Sequence, residues 1–393
     1  MKIPLRIAIA GLGTVGGGVL KALRARGDEL AERAERRLDI IAVSARDKNK
    51  ARASDISGFK WIDDPVALAR ADADVVVELI GGEEGVAREL VEASLLAGKH
   101  VVTANKALLA HHGAHLAKLA EDRGLALKFE AAAAGGIPIV KALRESLIVH
   151  GVNSVRGILN GTCNYILTNM EKTERSFPDV LMEAQALGYA EADPTLDVGG
   201  GDTAHKLAIL SCLAFGTAPN LEHMQIEGIQ HIKPDDIGYA RELGYRIKLL
   251  GIARRIGGGI DQRVQPAMVR AGTPLADVDA AFNAVSVNAG EAGPFFFEGR
   301  GAGEGPRHRP SLRILSILRS VPSSPLSASL PIRWRHWFPR RRRPHHQRII
   351  CASRCSTSPA FWPRSPGVSR TSRSPSKACC SAQEARASRY RSS

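Results

Sequence analysis

Residues Leu5–Leu23, LRIAIAGLGTVGGGVLKAL, decide the fold of the N-terminal half of the chain. The apolar run Leu5–Ala10 predicts a short buried strand, and the text after the glycines predicts an apolar helix. Between the two, Gly11, Gly13 and Gly16 form the pattern G-x-G-x-x-G. The pattern alone is a weak signal, but a glycine turn between a strand and a helix is typical of dinucleotide-binding domains.

Each glycine of this turn has its own physical reason. Gly11 allows the tight turn, Gly13 lets the backbone approach a pyrophosphate, and Gly16 lets the helix pack closely on the strand. The free N–H groups of Thr14 and Val15 at the helix start would then face the phosphates. A glycine-rich turn without a ligand is the alternative interpretation.

Further strands are predicted along the N-terminal part, and helical text separates them. This alternation is typical of a parallel sheet covered on both faces, in which ligands lie at the carboxyl ends of the strands. Lys106 follows a strand closely and is therefore expected at that edge, although a surface lysine at a helix start is the alternative. The predicted strands are Leu38–Val43, Asp74–Ile80, His100–Val102 and Leu125–Glu130.

The end of the second predicted strand bears on the choice of cofactor. An NAD site usually has an acidic residue there, which holds the ribose 2′-hydroxyl. This chain has Ser44, Ala45 and Arg46 instead. A small residue followed by arginine suits a 2′-phosphate, so Arg46 favours NADP. NAD remains the alternative cofactor, and a solvated loop arginine is the alternative role of Arg46.

From about Asn153 the pattern changes to that of an α+β domain, and the text from Asn220 is mixed. We predict an α/β chain with an N-terminal Rossmann-like parallel sheet domain (residues 1–135). A substrate and dimerisation domain with an antiparallel sheet (136–306) and an irregular or disordered C-terminal tail (307–393) follow. The strands predicted in the second domain are Ser154–Leu159, Gln262–Arg270, Ala284–Ala289 and Gly293–Glu298.

An acidic stretch, Gly188–Lys206, marks the candidate site with the sequence GYAEADPTLDVGGGDTAHK. Its carboxylates are too many for a core and too regularly spaced for a linker. Asp202 and Lys206 lie four residues apart, so a helix would place them side by side at its N-terminal end. An exposed helix-start salt bridge is the alternative. The carboxylates are Glu191, Asp193, Asp197 and Asp202.

The net charge of +14 is misleading about partners. Residues 307–393 hold 19 Lys and Arg and one acid; removing them from the totals of 54 and 40 leaves 35 basic and 39 acidic residues in 1–306, a net charge of −4. Only Cys163 and Cys212 lie before the tail, which fits a reduced compartment. The sequence shows no membrane span and no signal peptide, so we expect a cytoplasmic protein with neither membrane nor nucleic acid as partner.

Taken together, the motifs resemble homoserine dehydrogenase over roughly residues 5–306, in the order that this family has them. Several are long, so the resemblance is specific, and the one departure noted is Cys163, where the family often has Thr. The motifs are GLGTVG, VVTANKALLA, FEAAAAGGIPIV, LNGTCNYIL, GYAEADPTLDVGGGDTAHKLAIL, YRIKLLGIA, the segment Asn283–Asn288 and GRGAGEGP.

The resemblance implies the interconversion of L-aspartate 4-semialdehyde and L-homoserine with a nicotinamide cofactor, in threonine, methionine and isoleucine biosynthesis. It implies that Lys206 is the acid/base at the substrate oxygen and that Lys106 is a second lysine at the reacting centre. Glu191 and Asp202 would hold the amino acid substrate, with Asp197 in the same cluster. Two lysines close together are expected to lower each other's pKa, which would help one of them to act as acid/base.

The resemblance also implies the remaining sites and a homodimer that pairs through the antiparallel sheet. The cofactor would be bound by the turn Gly11–Gly16, with Thr103, Lys106, Gly188 and the glycines Gly301 and Gly303 close to it. A monovalent cation such as sodium would be held by Glu130 and the main-chain carbonyls of Ala133, Gly135 and Ile137.

The tail departs from the family, which continues with a helix that returns to the nucleotide domain and often with a ligand-sensing ACT domain. Residues 307–393 are instead rich in Arg, Ser and Pro, and we find no periodicity in them. A disordered basic tail is the compositional interpretation. We favour an out-of-frame translation, because joining the third base of each codon to the next two bases lets Pro310–Arg319 read VVADIVDIA, the missing helix.

If the chain exists as written, it would lack that helix and one wall of the cofactor site. The alternative function is therefore a catalytically impaired nucleotide-binding protein. A basic tail that binds nucleic acid or a membrane through Arg340–Arg343 is a further alternative. An out-of-frame translation (the frame hypothesis) explains the basic composition of the tail without such a binding role.

Overall fold

The computed structural model describes residues 3–52, 54–300 and the four positions Ile314, Ile317, Leu318 and Val321. The N-terminal lobe alternates strands and helices, as predicted. Its elements are β1 (Leu5–Ala10), α1 (Thr14–Ala34), β2 (Leu38–Ser44), β3 (Lys60–Trp61), β4 (Val75–Glu78), α2 (Val86–Leu96), β5 (His100–Thr103), α3 (Lys106–Glu121) and β6 (Leu127–Lys128).

The six strands form one parallel sheet in the order β3-β2-β1-β4-β5-β6. All four residues of β4 are buried, as expected for a central strand that helices cover on both faces. The strand order reverses between β1 and β4, and the turn Gly11–Gly16 leaves β1 at this point. In open parallel sheets such a switch point opens a crevice at the carboxyl ends, where ligands bind.

The predicted boundaries of two N-terminal strands are too generous. β4 covers four residues of the predicted Asp74–Ile80, because the chain turns away once Glu78 binds the following main-chain N–H groups. The predicted strand Leu125–Glu130 is reduced to β6, because Glu130 begins a short 3₁₀ turn, Glu130–Ala132.

The C-terminal lobe is built on a second sheet that the helices cover. A π-helical stretch, Ala142–Leu147, continues the first of its helices. The elements are α4 (Ile139–Lys141), β7 (Ser154–Ile158), α5 (Gly161–Thr173), α6 (Phe177–Ala186), α7 (Thr195–Val198), α8 (Gly201–Phe215), β8 (Gln225–Ile226), α9 (Pro234–Glu242), β9 (Tyr245–Ile256), β10 (Gly259–Arg270), β11 (Phe282–Asn288) and β12 (Pro294–Arg300).

The strand order of this sheet is β12-β11-β7-β9-β10-β8, and it is mixed rather than purely antiparallel. Five strands pair antiparallel, as predicted, but β8 lies parallel to β10. Strand β9, one of the two central strands, was not predicted from the sequence. Residues 247–251 of β9 are all buried, so the alternation of apolar and polar residues that marks a half-exposed strand is absent there.

Helix α8 is the central element of the molecule. Residues 207–215 of α8 are all buried, and the helix packs against α3 of the N-terminal lobe and against β7 and β9 of its own lobe. Gly200, which precedes α8, has φ +88°, and a Cβ there would lie 3.1 Å from a side-chain carbon of Val264. A glycine is therefore needed for the chain to enter α8 at this angle.

Four described residues of the tail pack on the N-terminal lobe. Ile314, Ile317 and Leu318 are helical, and with Val321 they are buried in the cluster that contains Leu5 and other apolar residues of β1 and α1. The guanidinium of Arg36 donates to the carbonyls of Leu318 and Val321. The statement that the tail lacks periodicity is wrong here, because positions 314, 317, 318 and 321 have the spacing of one helix face. The frame hypothesis for the tail stays a prediction.

Among the described residues, no helix combines the length and the apolar character needed to cross a bilayer.

We predict that Leu318→Ala destabilises the chain, because Leu318 is fully buried and its removal leaves a cavity over β1 and α1. The free energy of unfolding should fall by about 2–5 kcal/mol, measured by urea denaturation. Leu187→Ala, at a leucine that is 58% exposed, is the control and should change it by less than about 0.5 kcal/mol. Equal stability of the two variants would show that Leu318 does not contribute to the core.

Candidate active site

A buried carboxylate lies where the two lobes meet. Asp202 is in the first turn of α8, and only 2% of its surface is exposed. Its Oδ1 lies 2.8 Å from Nζ of Lys106, and its Oδ2 lies 2.6 Å from Nζ of Lys206. The structure thus brings together, through one carboxylate, the two lysines that the sequence analysis selected from opposite lobes.

Lys106 is held in place by the start of α3. Asn105 is the N-cap of this helix, and its Oδ1 accepts a hydrogen bond of 3.1 Å from the N–H of Leu108. The Nδ2 of Asn105 donates to the carbonyl of Gly82 at 2.6 Å, in the loop after β4. Because Asn105 is fixed on both sides, the first helical residue, Lys106, has a fixed backbone position at the carboxyl edge of the parallel sheet.

Lys206 is held by its own helix and by the end of β7. It lies one turn after Asp202 on α8, and its Nζ donates to the carbonyl of Leu159 at 2.7 Å. An ammonium group has three N–H donors. Among the described residues, two of them are used, toward Asp202 and Leu159, so one N–H remains for a substrate atom.

The electrostatics of the cluster depend on Asp202. Burial alone would raise the pKa of this carboxyl, but Lys206 and Lys106 outweigh burial and hold the pKa well below its usual value. Burial alone would lower the pKa of Lys106, but the attraction of Asp202 outweighs it, so that pKa is raised. The expectation that the two lysines lower each other's pKa is therefore wrong for Lys106, because a carboxylate lies between the two ammonium groups.

An asparagine that the sequence analysis did not select connects the acids. The Nδ2 of Asn160 lies 2.7 Å from Oδ1 of Asp197 and 2.8 Å from Oδ2 of Asp202. Its Oδ1 accepts a hydrogen bond from the N–H of Cys163 and caps α5. Burial and the charge of Asp202 raise the pKa of Asp197. The signal for Asn160 was available, since it is the first polar residue after a strand and before a helix.

The third candidate acid, Glu191, lies in the exposed loop after α6. Its charge contributes to the raised pKa of Lys106, so it faces the same cluster. Gly188, also in this loop, has φ +79° and ends the turn after α6. The structure therefore gathers both lysines, Asp202, Asp197 and Glu191 in one region, and leaves Glu191 accessible.

The glycine turn has the geometry that a bound pyrophosphate requires. Gly11 has φ +93°, and a Cβ there would lie 2.4 Å from the carbonyl oxygen of Leu79. A Cβ on Gly16 would lie 2.0 Å from the carbonyl oxygen of Gly11. Gly13, the N-cap of α1, is different, because a Cβ there would meet nothing within 4 Å. Packing therefore does not demand a glycine at Gly13, whereas the close approach of a pyrophosphate to the backbone would.

A second buried carboxylate, which the sequence analysis missed, supports this edge. Glu78 is fully buried and accepts hydrogen bonds from Oγ1 of Thr103 at 2.6 Å and from the N–H of Ile80 at 2.7 Å. Burial raises the pKa of Glu78. Thr103 in turn accepts from the N–H of Asn105 at 2.9 Å, so Glu78 links β4 and β5 to the residue before Lys106. An acid at the end of the apolar strand VVVE was the available signal.

Other candidate residues are less constrained by contacts. Arg46 is exposed just after β2, where the sequence analysis expected a 2′-phosphate contact. Gly301 and Gly303 lie outside the described residues.

The residues proposed for a monovalent cation form one turn. Glu130 is 7% exposed, and its Oε1 accepts from the N–H of Lys141 at 3.3 Å. Ala134 and Gly135 both have left-handed backbones, with φ +53° and +52°. A left-handed alanine costs about 1–2 kcal/mol, so the surrounding structure must enforce this turn. Glu130 offers a buried carboxylate and the following turn offers main-chain carbonyls, and such hard oxygen donors suit a cation of this kind.

Family models match both lobes. The model of the homoserine dehydrogenase NAD-binding domain matches residues 11–130, and the model of homoserine dehydrogenase matches residues 138–307. The homoserine dehydrogenase of Neisseria gonorrhoeae is 50% identical over 301 residues, which cover 76% of this chain and 69% of that protein. The enzyme of Pseudomonas aeruginosa is 44% identical over 324 residues, 82% of this chain and 74% of that protein.

Solved structures of the same kind of enzyme are also similar. A homoserine dehydrogenase from Thiobacillus denitrificans has a TM-score of 0.78 at 43% identity and covers 86% of this chain and 80% of that chain. A homoserine dehydrogenase from S. aureus has a TM-score of 0.71 at 37% identity and covers 81% of this chain and 76% of that chain. The similarity confirms the fold class and the resemblance inferred from the motifs.

We predict that Asp202→Asn destabilises the chain at neutral pH by about 3–5 kcal/mol, because two partly buried ammonium groups lose their partner. The folded-state pKa of Asp202 is depressed. Its stabilising contribution is therefore complete above the unfolded pKa of about 3.9 and is lost as pH falls through the folded pKa.

The difference in unfolding free energy between wild type and Asp202→Asn should thus be constant from about pH 8 to pH 6 and narrow below about pH 4. Urea denaturation at each pH measures it. Glu242→Gln, at an exposed carboxylate on α9, serves as the control with little effect. A difference that widens on acidification would contradict the charge assignment.

Proposed function

The chain belongs to the homoserine dehydrogenase family, and we propose that its cluster of Asp202, Lys106 and Lys206 is the centre of that enzyme's reaction. The protein is an NAD(P)-dependent oxidoreductase that acts on a CH–OH group and interconverts L-aspartate 4-semialdehyde and L-homoserine. The activity places it in amino-acid biosynthesis. The observation that carries the site assignment is the single carboxylate that binds an ammonium group from each lobe.

The substrate is small and carries an ammonium, a carboxylate and the reacting aldehyde. We propose that the exposed carboxylate of Glu191 binds the substrate ammonium, with Asp197 and Asp202 in the same cluster. Because Asp202 is shared by two lysines, its main effect is to fix their positions. A fixed geometry reduces the entropy lost when substrate and catalytic groups are brought together.

When bound, a nicotinamide cofactor would supply the hydride for reduction of the aldehyde carbon. The aldehyde oxygen gains negative charge as this carbon is reduced. Lys206 has one N–H that no described residue uses, and it donates this proton to the oxygen as the alcohol forms. Lys106, whose pKa is raised, stays protonated and stabilises the developing charge. In the reverse direction Lys206 accepts the proton from the hydroxyl.

The match to an NAD-binding domain supports a nicotinamide cofactor, and the residues of the turn Gly11–Gly16 fit it. We propose that the phosphates face the N–H groups of Thr14 and Val15 at the start of α1, near Thr103 and Lys106. Gly188, Gly301 and Gly303 would border the same site. The exposed guanidinium of Arg46 supports a preference for NADP, because it can pair with a 2′-phosphate.

Three further parts of the proposal rest on the family resemblance. Residues 1–135 would be the cofactor domain and 136–306 the substrate and dimerisation domain of a cytoplasmic enzyme. A sodium-type cation would be held by Glu130 and the carbonyls of Ala133, Gly135 and Ile137. A homodimer would pair through the second sheet, whose edge strand β12 includes the exposed Phe296.

We expect Lys206→Ala to lower kcat about 10²- to 10⁴-fold, because the reacting oxygen loses its proton donor. NADPH should still bind, since the glycine turn proposed to hold it belongs to the N-terminal lobe, whereas Lys206 belongs to α8 of the C-terminal lobe. Steady-state kinetics with aspartate semialdehyde and fluorescence titration with NADPH measure the two effects. Lys118→Ala on α3, at a lysine whose side chain is 73% exposed, is the matched control. Turnover near the wild-type rate would remove Lys206 from the mechanism.

We expect Arg46→Ala to raise the KM for NADPH about tenfold or more while the KM for NADH changes little, because only NADPH carries the 2′-phosphate. The comparison of kcat/KM for the two cofactors measures the effect. Arg70→Ala, at another exposed arginine of the N-terminal lobe, is the control. An equal change for both cofactors would refute the assigned role of Arg46.

A further inference from the structure

A second cluster of ligating side chains lies beside the active site, and no step of the reaction derived above uses it. Glu83, His111 and His205 each present one ligand atom, and these atoms all lie within 4.8 Å of one another. Nε2 of His111 lies 3.0 Å from Oε2 of Glu83. The rings of His111 and His205 meet edge to face, with centroids 5.4 Å apart.

The three side chains come from three elements and from both lobes. Glu83 follows Gly81 and Gly82 in the loop after β4, and both glycines have left-handed backbones. His111 lies on α3, the helix that begins with Lys106, and His205 lies on α8. The cluster therefore depends on the tertiary fold, unlike a chance pair within one helix.

His205 has hydrogen-bonding capacity that the described protein groups do not satisfy. Its Nδ1 is buried and has no hydrogen-bond partner among the described residues. Most buried polar side-chain atoms in proteins have a partner, so such an atom calls for an explanation. A metal ion coordinated by this Nδ1 would supply one, because a neutral imidazole binds a metal through its unprotonated ring nitrogen.

We propose that Glu83, His111 and His205 form a binding site for a divalent transition metal, and that Zn²⁺ is the ion it fits best. Two imidazoles and one carboxylate are a frequent zinc donor set, which leaves a fourth position for water. Mg²⁺ and Ca²⁺ prefer oxygen ligands throughout. This site is separate from the oxygen-lined turn at Glu130, which is suited to a monovalent ion.

Occupancy of the site would affect the active site. The ion would join α3 to α8, the helices that carry Lys106 and Lys206, and it would add positive charge next to them. Zn²⁺ therefore inhibits turnover by holding the two lobes together, and removal of the ion restores it. This consequence rests on the proposed function, whereas metal binding itself does not.

The test uses the full chain and counts bound Zn²⁺ by isothermal titration calorimetry under reducing conditions. The chain contains 12 His and 6 Cys, so the informative quantity is the difference between variants. Glu83→Gln and His111→Ala should each weaken one Zn²⁺ site about tenfold or more relative to wild type. Glu83→Gln keeps the size of an exposed side chain, so it preserves the fold even if His111→Ala does not.

His112→Ala is the matched control. His112 is the next residue on α3 and pairs with Glu84 at 2.6 Å, but it does not belong to the cluster. This variant should bind Zn²⁺ like the wild type. The proposal is overturned if Glu83→Gln binds Zn²⁺ with wild-type stoichiometry and affinity, or if His112→Ala loses as much affinity as His111→Ala.

Measurement of dehydrogenase activity with and without Zn²⁺ tests the metal site separately from the proposed function. Zn²⁺ should inhibit the wild type and His112→Ala, a chelator should reverse the inhibition, and Glu83→Gln should require about tenfold more Zn²⁺. Absence of dehydrogenase activity in metal-free wild type, together with a Zn²⁺ site lost in Glu83→Gln, would refute the function and support the metal site. Normal dehydrogenase activity of the metal-free wild type, together with unchanged Zn²⁺ binding in Glu83→Gln, would support the proposed function and refute the metal site.

Discussion

The structure depends on one buried carboxylate that has to be paired. Asp202 is 2% exposed, and an isolated charge at such a position would cost several kcal/mol. Its Oδ2 binds the ammonium group of Lys206 on the same helix, and its Oδ1 binds that of Lys106 on α3, so the second partner is present only when the two lobes are together. Asn160 adds a hydrogen bond to the same carboxylate and connects it to Asp197. In the proposed mechanism, the pairing that compensates the charge of Asp202 also fixes the positions of the two lysines for the reaction.

Local patterns were enough to predict the glycine turn and the parallel sheet. They singled out the two lysines, whose roles were implied only by the family resemblance. Gly16 is required by its contact with Gly11 in the same strand–turn–helix unit, and Gly11 by its left-handed backbone, and such local requirements leave a mark on the sequence. Strand β9 was missed because its residues 247–251 are all buried and therefore lack the alternation of apolar and polar residues. Asn160 and Glu78 each had a local signal at the end of a strand, but their bonds to Asp197 and Thr103 join residues far apart in the sequence and could not be read from it. The direction of the pKa shift of Lys106 was predicted wrongly because only the tertiary structure shows that the carboxylate of Asp202 lies between the two lysines.

Four apolar residues of the tail are enough to cover part of the apolar surface of the N-terminal lobe. Ile314, Ile317, Leu318 and Val321 bury themselves on the N-terminal lobe at the spacing of one helix face. The family has a returning helix after the same motif. Burial of apolar residues at the correct period matters more for such a contact than the identity of each residue. Arg36 satisfies carbonyls at the end of this segment, which reduces the cost of burying them.

The most direct test of the account is a double-mutant cycle on kcat with Lys106→Ala, Lys206→Ala and the double variant. If both ammonium groups act as one unit around Asp202, removing one lysine from a variant that already lacks the other should lower kcat far less than removing it from the wild type. The account predicts that the double variant is only slightly slower than the slower single variant. If the fold-decrease in kcat of the double variant equals the product of the two single fold-decreases, the two lysines act independently. This result would contradict a shared reaction centre between the lobes.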